Sequence, residues 1–151
     1  MSRGDAVSRK PSVLFVCVKN GGKSQMAAGL MRRAAGDAVD VYSAGTKPGA
    51  AINDLAAESL LEVGVDIRSE TPKSIDPQLL LDVDLVVTLG REAVVATGPD
   101  VVVVNWDTDE PSERGIDGME RMRLVRDDIA SHVDSLRTQL TADTGRPALD
   151  T

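Results

Sequence analysis

Four short runs of apolar residues divide the sequence, and each one ends in glycines or polar residues. The runs are SVLFVC at 12–17, VDVYSA at 39–44, VDLVVT at 83–88 and VVVVN at 101–105. Their apolar residues are mostly consecutive rather than alternating, which is typical of strands that a parallel sheet buries on both faces. The pattern therefore predicts four buried strands.

Three further segments carry apolar residues at helical spacing, and they predict helices over 24–36, 50–64 and 117–140. Strands that alternate with helices indicate right-handed βαβ units. The predicted fold class is α/β, with a four-stranded parallel sheet in the flavodoxin-like order 2-1-3-4 and helices on both faces. In such sheets ligands bind at the carboxyl ends of the strands, where the strand order reverses. The last predicted helix has one apolar face, formed by Met122, Val125, Ile129, Val133 and Leu136.

Both ends of the chain are polar and lack periodicity, so we expect flexible tails at 1–10 and 141–151 around one catalytic domain at 11–140. The net charge of -7 argues against nucleic acid or an anionic membrane as the main partner. We find no apolar run of membrane-spanning length and no signal-like N-terminus, and we expect a cytoplasmic protein. One cysteine and one histidine predict no internal disulfide and no metal site.

The candidate chemistry lies in the loop CVKNGGKS at 17–24, which follows the first predicted strand. One interpretation is a nucleotide-binding loop of the pattern G-x-x-x-x-G-K-[ST], which Gly22, Lys23 and Ser24 satisfy. Cys17 stands where that pattern requires its first glycine, and no region suited to hold adenine is evident. A second interpretation is that Cys17 is a buried, unreactive side chain at a strand end, the commonest role of a lone cysteine.

The third interpretation makes Cys17 a nucleophile below a bound oxyanion. Glycines let backbone N–H groups converge without Cβ obstruction, and a helix begins directly after the loop. These donors and Lys23 would favour the thiolate and hold a tetrahedral oxyanion above it. Ser24 is either a helix N-cap or a donor to the sulfur, and Asn20 either tolerates a turn or braces the loop. The predicted oxyanion-binding residues are Val18, Lys19, Asn20, Gly21, Gly22 and Lys23.

A second loop, WDTDEPSERG at 106–115, follows the fourth predicted strand and so reaches the same edge of the sheet. Its carboxylates Asp107, Asp109 and Glu110 form either a solvated acidic surface or a source of the proton that a departing oxygen needs. His132 lies beside the apolar face of the last helix, and we interpret it as structural.

The first loop, together with QMA at 25–27, resembles the active-site loop of the low-molecular-weight tyrosine phosphatase fold, in particular its arsenate reductase branch. The resemblance extends to YSAGT at 42–46, to VVTLG at 86–90 and to MRLVRDDI at 122–129. It also includes Thr71-Pro72-Lys73 and Glu110-Pro111. It implies that Cys17 attacks the oxyanion, that Ser24 stabilises the thiolate and that Glu110 is the general acid, with Asp109 as the alternative.

Three departures narrow the resemblance. Lys23 replaces the arginine of the phosphatase pattern C-x5-R-[ST], Glu110 replaces the usual aspartate, and LGREAVVATG at 89–98 lacks the further cysteines of thioredoxin-linked arsenate reductases. These features resemble a single-cysteine subgroup that uses mycothiol. The implied activity is transfer of arsenic from arsenate to mycothiol, with arsenite released by a mycoredoxin, phosphate or sulfate as substrate mimics and no tightly bound cofactor.

Two other functions remain open, a phosphatase for phosphotyrosine or small phosphate esters and a catalytically silent oxyanion-binding protein. A phosphotyrosine ring needs apolar walls, and Trp106 is the evident aromatic candidate. Some three-cysteine relatives bind potassium near the loop asparagine through a serine, a threonine and an aspartate. Ser43 and Thr71 match, Lys73 replaces the aspartate, and we expect the Lys73 ammonium to replace the ion.

Overall fold

The computed structural model describes residues 10–144 and contains one parallel sheet with helices on its two faces. The predicted tails lie outside the described residues, except for Lys10 and 141–144. The sheet order is β2-β1-β3-β4 with every pair parallel, which confirms the predicted fold class. The elements are β1 Ser12–Cys17, α1 Lys23–Ala35, β2 Asp40–Gly45, α2 Asp54–Leu61, α3 Pro77–Asp82, β3 Leu85–Leu89, β4 Val103–Trp106 and α4 Gly118–Thr144.

Alternate residues of β1 point to opposite faces of the sheet, and both faces are buried. Val13 and Phe15 pack with α1, α2 and α4 in the larger core, while Leu14 and Val16 pack in a smaller core beside α3. All five predicted apolar residues of α4 are buried in the larger core. Since β1 is covered on both sides, its last residue, Cys17, is held rigidly at the point where the strand order reverses.

The structure departs from the predicted elements at several places. The helix α3 was not predicted, because six residues give too little periodicity, although Asp76 caps it by accepting from the N–H of Gln78. The helix α2 is shorter than the predicted 50–64, and α4 continues to Thr144, beyond the predicted end at 140. Short 3-10 helices cover Gly36–Ala38 and Pro111–Arg114.

The prediction that every strand is buried on both faces is wrong for the two edge strands, β2 and β4. Tyr42 of β2 is 39% exposed, and Val103 and Val104 of β4 are 38% and 39% exposed. A run of valines indicates a strand, but it does not encode whether a further strand or a helix will cover it. None of the described helices is long and apolar enough to cross a membrane.

Candidate active site

The loop after Cys17 turns its carbonyl groups away from the sulfur. The carbonyls of residues 17, 18, 19 and 21 accept hydrogen bonds of 2.8 to 3.0 Å from the N–H groups of residues 46, 47, 49 and 53. In a trans peptide the carbonyl and the following N–H point in opposite directions, so the N–H groups of the loop face away from this neighbouring segment. The N–H of Asn20 donates to Cys17 Sγ at 3.2 Å. The loop therefore offers backbone donors of the kind that stabilise an oxyanion.

Two glycines allow this packing. A Cβ on Gly45, at the end of β2, would lie 2.6 Å from the carbonyl oxygen of Val18, and one on Gly21 would lie 2.8 Å from the carbonyl oxygen of Ala51. Asn20 has a φ of 54°, in the left-handed region that asparagine tolerates better than most residues. The loop and the segment 45–53 thus fit only because side chains are absent where their backbones approach.

Side-chain hydrogen bonds orient the hydroxyl of Ser24 toward the sulfur. The backbone N–H of Lys73 can only donate, and it lies 3.0 Å from Asn20 Oδ1, so the amide of Asn20 must present its Nδ2 on the other side. That Nδ2 donates to Ser24 Oγ at 2.7 Å. One lone pair of Ser24 Oγ thus accepts from Asn20, and the hydroxyl lies 2.9 Å from Cys17 Sγ, where it can donate to the sulfur. The hydroxyl of Ser24 and the N–H of Asn20 are two donors placed at the sulfur.

Gln25 belongs to the same network, although the sequence analysis gave it no role. Its Nε2 donates to Asn20 Oδ1 at 3.1 Å and to the carbonyl of Thr71 at 3.3 Å, and its side chain is fully buried. A glutamine on the buried side of an amphipathic helix was the signal that could have identified it. Ser24 is not a helix N-cap, because Gly22 occupies that position and no side chain caps α1.

Lys23 Nζ forms an ion pair with Glu110 Oε2, and this contact joins the loop after β1 to the loop after β4. Both side chains are 22% exposed. Gly90, at the end of β3, has a φ of 89°, and a Cβ there would lie 3.3 Å from Lys23 Nζ. The strand ends of β1, β3 and β4 therefore meet around the Lys23 ammonium.

Asp109 is held elsewhere, although it precedes Glu110 in the chain. Its carboxylate accepts two hydrogen bonds from Arg114, at 2.8 and 3.2 Å, and its N–H donates to Asp128 Oδ2 at 2.9 Å. The hydrogen bonds from Arg114 lower the pKa of the Asp109 carboxyl below its ordinary value. Asp107 likewise accepts from Arg91 at 3.1 Å. Of the three carboxylates that precede Pro111, Glu110 is the one that contacts the loop after β1.

Trp106 and His132 belong to the core side of the sheet. The ring of Trp106 lies 5.6 Å from that of Phe15 and stacks on the imidazole of His132 at 5.0 Å, measured between centroids. Trp106 packs against the larger core and does not line the space above Cys17. The one aromatic candidate that the sequence offered as a wall for a substrate ring is therefore absent from the cleft, because its side chain packs against Phe15 and His132.

Two of the three residues predicted to replace potassium are linked to the amide of Asn20, but not through the expected groups. Lys73 contributes its backbone N–H, and its side chain is exposed. Thr71 contributes its backbone carbonyl through Gln25. The Ser43 hydroxyl is buried without a hydrogen-bond partner. The role of the Lys73 ammonium stays a prediction.

A cleft of about 760 Å³ opens above Cys17. It is bounded by the loop after β1, by residues 49–51 and by residues 89–92. Acidic and basic side chains, which include Glu110 and Arg121, also line it. None of the lining residues is aromatic. Five of the six predicted oxyanion-binding residues line it, while Asn20 is buried below. The five are Val18, Lys19, Gly21, Gly22 and Lys23.

In the described part of the chain, no three His, Cys, Asp or Glu side chains are grouped to hold a metal ion. The site combines a buried thiol that accepts from the N–H of Asn20, an ammonium and a carboxyl group. This combination suits nucleophilic displacement at a tetrahedral oxyanion with a proton donor for the departing oxygen.

Comparisons with known proteins agree with this geometry. An arsenate reductase of Halalkalibacterium halodurans is 36% identical over 143 residues, which cover 91% of this chain and 99% of the relative. The structure of a thioredoxin-dependent arsenate reductase of Corynebacterium glutamicum has a TM-score of 0.76 and 31% identity, covering 93% of this chain and 66% of that longer chain. An arsenate reductase structure from Archaeoglobus fulgidus has a TM-score of 0.68 and 29% identity, covering 83% of this chain and 98% of that one.

The family model for low-molecular-weight phosphotyrosine protein phosphatases matches residues 12–146, almost the whole chain. The match includes both the loop that carries Cys17 and the loop that carries Glu110. The chain belongs to the low-molecular-weight phosphotyrosine protein phosphatase family.

Proposed function

We propose that the protein is an arsenate reductase in which Cys17 is the nucleophile. The observation that carries the proposal is the cleft: it has a hydrogen-bonded thiol at its base and no aromatic residue in its walls. A phosphotyrosine ring needs apolar walls, whereas arsenate, a small tetrahedral oxyanion, needs donors. The curated relatives named arsenate reductase, at 31% to 36% identity, support the same substrate.

In the first step the Cys17 thiolate attacks the arsenic of arsenate and an arsenic–oxygen bond breaks. Glu110 passes a proton from the bound dihydrogen arsenate to the departing hydroxide, which leaves as water, and arsenic stays pentavalent on the sulfur. The N–H groups of the loop and the Lys23 ammonium bind the remaining oxygens. The hydrogen bonds from Ser24 and Asn20 hold the sulfur in place for the attack.

The second thiol must come from outside the chain, because Cys17 is the single cysteine among the 151 residues. We infer that it is a small-molecule thiol of the mycothiol type. The cleft volume of about 760 Å³ lies in the range of pockets that hold drug-sized ligands and far exceeds a five-atom oxyanion. The mycothiol thiolate attacks the arsenic, the cysteine–arsenic bond breaks, and Cys17 leaves as a thiolate.

Reduction then takes place on the released arseno-mycothiol adduct. A mycoredoxin thiolate attacks the mycothiol sulfur, the electron pair of the sulfur–arsenic bond passes to arsenic, and arsenite leaves with trivalent arsenic. The product on the protein partner is a mixed disulfide, which a further thiol resolves. In this scheme the chain acts as an arsenate–mycothiol transferase and needs no resident cofactor.

The test measures arsenite production from arsenate by the wild type and by Cys17→Ser in two mixtures. One contains mycothiol with mycoredoxin, and the other contains thioredoxin with its reductase. We expect arsenite that depends on Cys17 in the mycothiol mixture alone. Arsenite in the thioredoxin mixture would reject the small-molecule thiol and place this chain with its Corynebacterium neighbour.

Two further measurements test the alternatives on the same samples. Hydrolysis of p-nitrophenyl phosphate without arsenite formation would identify a phosphatase. Alkylation of Cys17 by iodoacetamide at pH 6, at a rate no faster than that of free cysteine, would identify a silent oxyanion-binding protein. We expect Cys17 to react faster than free cysteine, because Ser24 and Asn20 donate to its sulfur.

A further inference from the structure

Four basic side chains line the cleft above Cys17, and they differ in whether a carboxylate already neutralises them. Lys23 pairs with Glu110, and Arg91 pairs with Asp107 at 3.1 Å and with Glu113 at 3.2 Å. Within residues 10–144, neither Lys19 nor Arg121 forms an ion pair with a carboxylate. The positive charge that an incoming anion meets therefore comes from these two side chains.

Arg121 differs from Lys19 because part of its charged group is withdrawn from water. Its Nε is buried and has no hydrogen-bond partner, whereas Lys19 is exposed. A buried donor that belongs to a charged group and lacks an acceptor is destabilising. Because Arg121 also lines the cleft, an anion there compensates the charge of its partly buried guanidinium, so we expect binding to be favoured at Arg121 more than at a hydrated lysine.

The acidic charge of the whole chain means that anion binding depends on a positive charge within the cleft. The net charge of -7 opposes the approach of any anion, and attraction has to come from a local field inside a cleft. Lys23 cannot supply the bidentate fork with which an arginine binds a tetrahedral oxyanion, and its charge is shared with Glu110. Arg121 carries a guanidinium of this kind. It lies in the first turn of α4 and lines the same cleft.

We propose that Arg121 is an oxyanion-binding residue, which attracts the tetrahedral anion into the cleft and holds it for attack by Cys17. Arsenate as the anion rests on the proposed function, whereas the attraction of anions is measured with reagents that need no turnover. The sequence motif gives no sign of Arg121, because it lies 98 positions after Lys23 and only the fold brings it to the same cleft.

The experiment compares alkylation of Cys17 by iodoacetate, which is an anion, and by iodoacetamide, which is neutral. Both reagents react with the same thiolate, so the ratio of their rates reports the local electrostatic field. We expect Arg121→Gln to lower the iodoacetate rate about threefold to tenfold at low ionic strength and to leave the iodoacetamide rate within about twofold. Arg121→Lys, which keeps the charge, should recover most of the loss, and added salt should shrink the difference.

Arg91→Gln is the matched control, since Arg91 lines the same cleft but is already neutralised by two carboxylates. It should change the ratio less than Arg121→Gln does. Protection of Cys17 by inorganic phosphate against iodoacetamide gives a second readout, with an apparent Kd about fivefold higher in Arg121→Gln. Melting temperatures of all variants identify any that are misfolded.

If folded Arg121→Gln shows the same ratio of iodoacetate to iodoacetamide rates as the wild type, the assignment is overturned. Equal falls in the two alkylation rates would overturn it as well. With arsenate, Arg121→Gln should raise KM with little change in kcat, as loss of uniform binding does. If no arsenite forms but the ratio falls as expected, the proposed reaction fails and the anion site stands. If arsenite forms and the ratio does not change, the anion site fails and the reaction stands.

Discussion

The two loops that build the site are held in different ways. The loop after β1 is fixed from below by buried groups, because Asn20, Ser24 and Gln25 are each fully buried and hydrogen-bonded to one another. The loop after β4 lies nearer the surface, where Asp109 binds Arg114 and Asp107 binds Arg91 through exposed ion pairs. Surface ion pairs contribute little to stability and weaken with salt. Loss of one residue from a buried network leaves the polar groups of its partners unpaired, which is costly.

The difference suits the two chemical tasks. The nucleophile and its oxyanion donors have to be in place before the substrate arrives, since preorganised donors need no rearrangement during the reaction. The proton donor has to leave its contact with Lys23 and reach the departing oxygen, so its loop has to move more easily. We infer that the fold holds Cys17 rigidly and leaves the side chain of Glu110 free to move.

The largest effect should come from Glu110→Gln, which keeps the shape of the side chain and removes its proton. Loss of a general acid lowers turnover by about a hundredfold or more. Asp109→Asn is the matched control, because Asp109 contacts Arg114 rather than Lys23, and it should keep most of the activity. Steady-state kcat values measure both. A greater loss in Asp109→Asn than in Glu110→Gln would move the general acid to Asp109.

The buried loop predicts a second effect, in Ser24→Ala. The substitution removes one of two hydrogen bonds to the sulfur and leaves Asn20 Nδ2 without its acceptor. A hydrogen bond to a charged group contributes roughly 1.5 to 3 kcal/mol, so the alkylation rate of Cys17 should fall about tenfold to a hundredfold. Iodoacetamide alkylation at pH 6 measures it.

Ser59→Ala is the control for that measurement. Ser59 is equally buried, but its hydroxyl donates to the carbonyl of Ala56 within α2, far from the loop. Its replacement should leave the alkylation rate unchanged and affect only the melting temperature. Similar falls in alkylation for both variants would show that general destabilisation, and not the hydroxyl of Ser24, sets the reactivity of Cys17.

The contrast between the loops also explains what the sequence could predict. The loop after β1 can be recognised from a short stretch of sequence, because the strand, the cysteine, the glycines, the lysine and the serine follow one another at fixed spacing. From them we predicted that the hydroxyl of Ser24 lies at the Cys17 sulfur, and the structure contains this contact. The fold and the order of strands, which we predicted from the alternation of strands and helices, are confirmed. The order of strands was accessible because short right-handed crossovers leave few alternatives.

Residues that reach the site from distant elements were harder to predict. The sequence could not choose between Asp109 and Glu110, because which of two adjacent carboxylates faces inward depends on Arg114 and Asp128. It gave Arg121 no role, since one basic residue on a long helix is ordinary. Trp106 was named as a candidate wall for a substrate ring, but it packs against the larger core, because the direction of a strand's last side chain depends on register. Such contacts depend on tertiary packing, which short motifs do not encode.

A smaller effect is expected away from the site, at the carboxylate that joins α2 to α4. Hydrogen bonds from Arg123 and Arg126 lower the pKa of Glu62 from 4.5 to about 2. A lowered pKa in the folded state stabilises the protein above the ordinary value of 4.5, and this contribution is lost as pH falls toward about 2. Glu62→Gln should therefore lower the melting temperature by a few degrees at neutral pH and by nothing near pH 2.

Asp66→Asn is the control for the pH series. Arg68 lowers the pKa of Asp66 to about 2 as well, but the partners are two residues apart and join no separate elements. Thermal melts at pH 7, 4 and 2 should show a smaller change for Asp66→Asn than for Glu62→Gln. A Glu62→Gln difference that persists at pH 2 would mean that lost packing, and not charge, is responsible.

The smallest effect concerns potassium, where we expect none. Asn20 Oδ1 already accepts from Gln25 Nε2 and from the backbone N–H of Lys73, so both of its lone pairs are occupied. Exchange of sodium for potassium chloride should leave the melting temperature and activity of the wild type unchanged. Lys73→Ala separates the two explanations. Potassium-dependent stabilisation in that variant would show that the ammonium replaces the ion, whereas continued insensitivity would assign the role to the backbone N–H, which alanine retains.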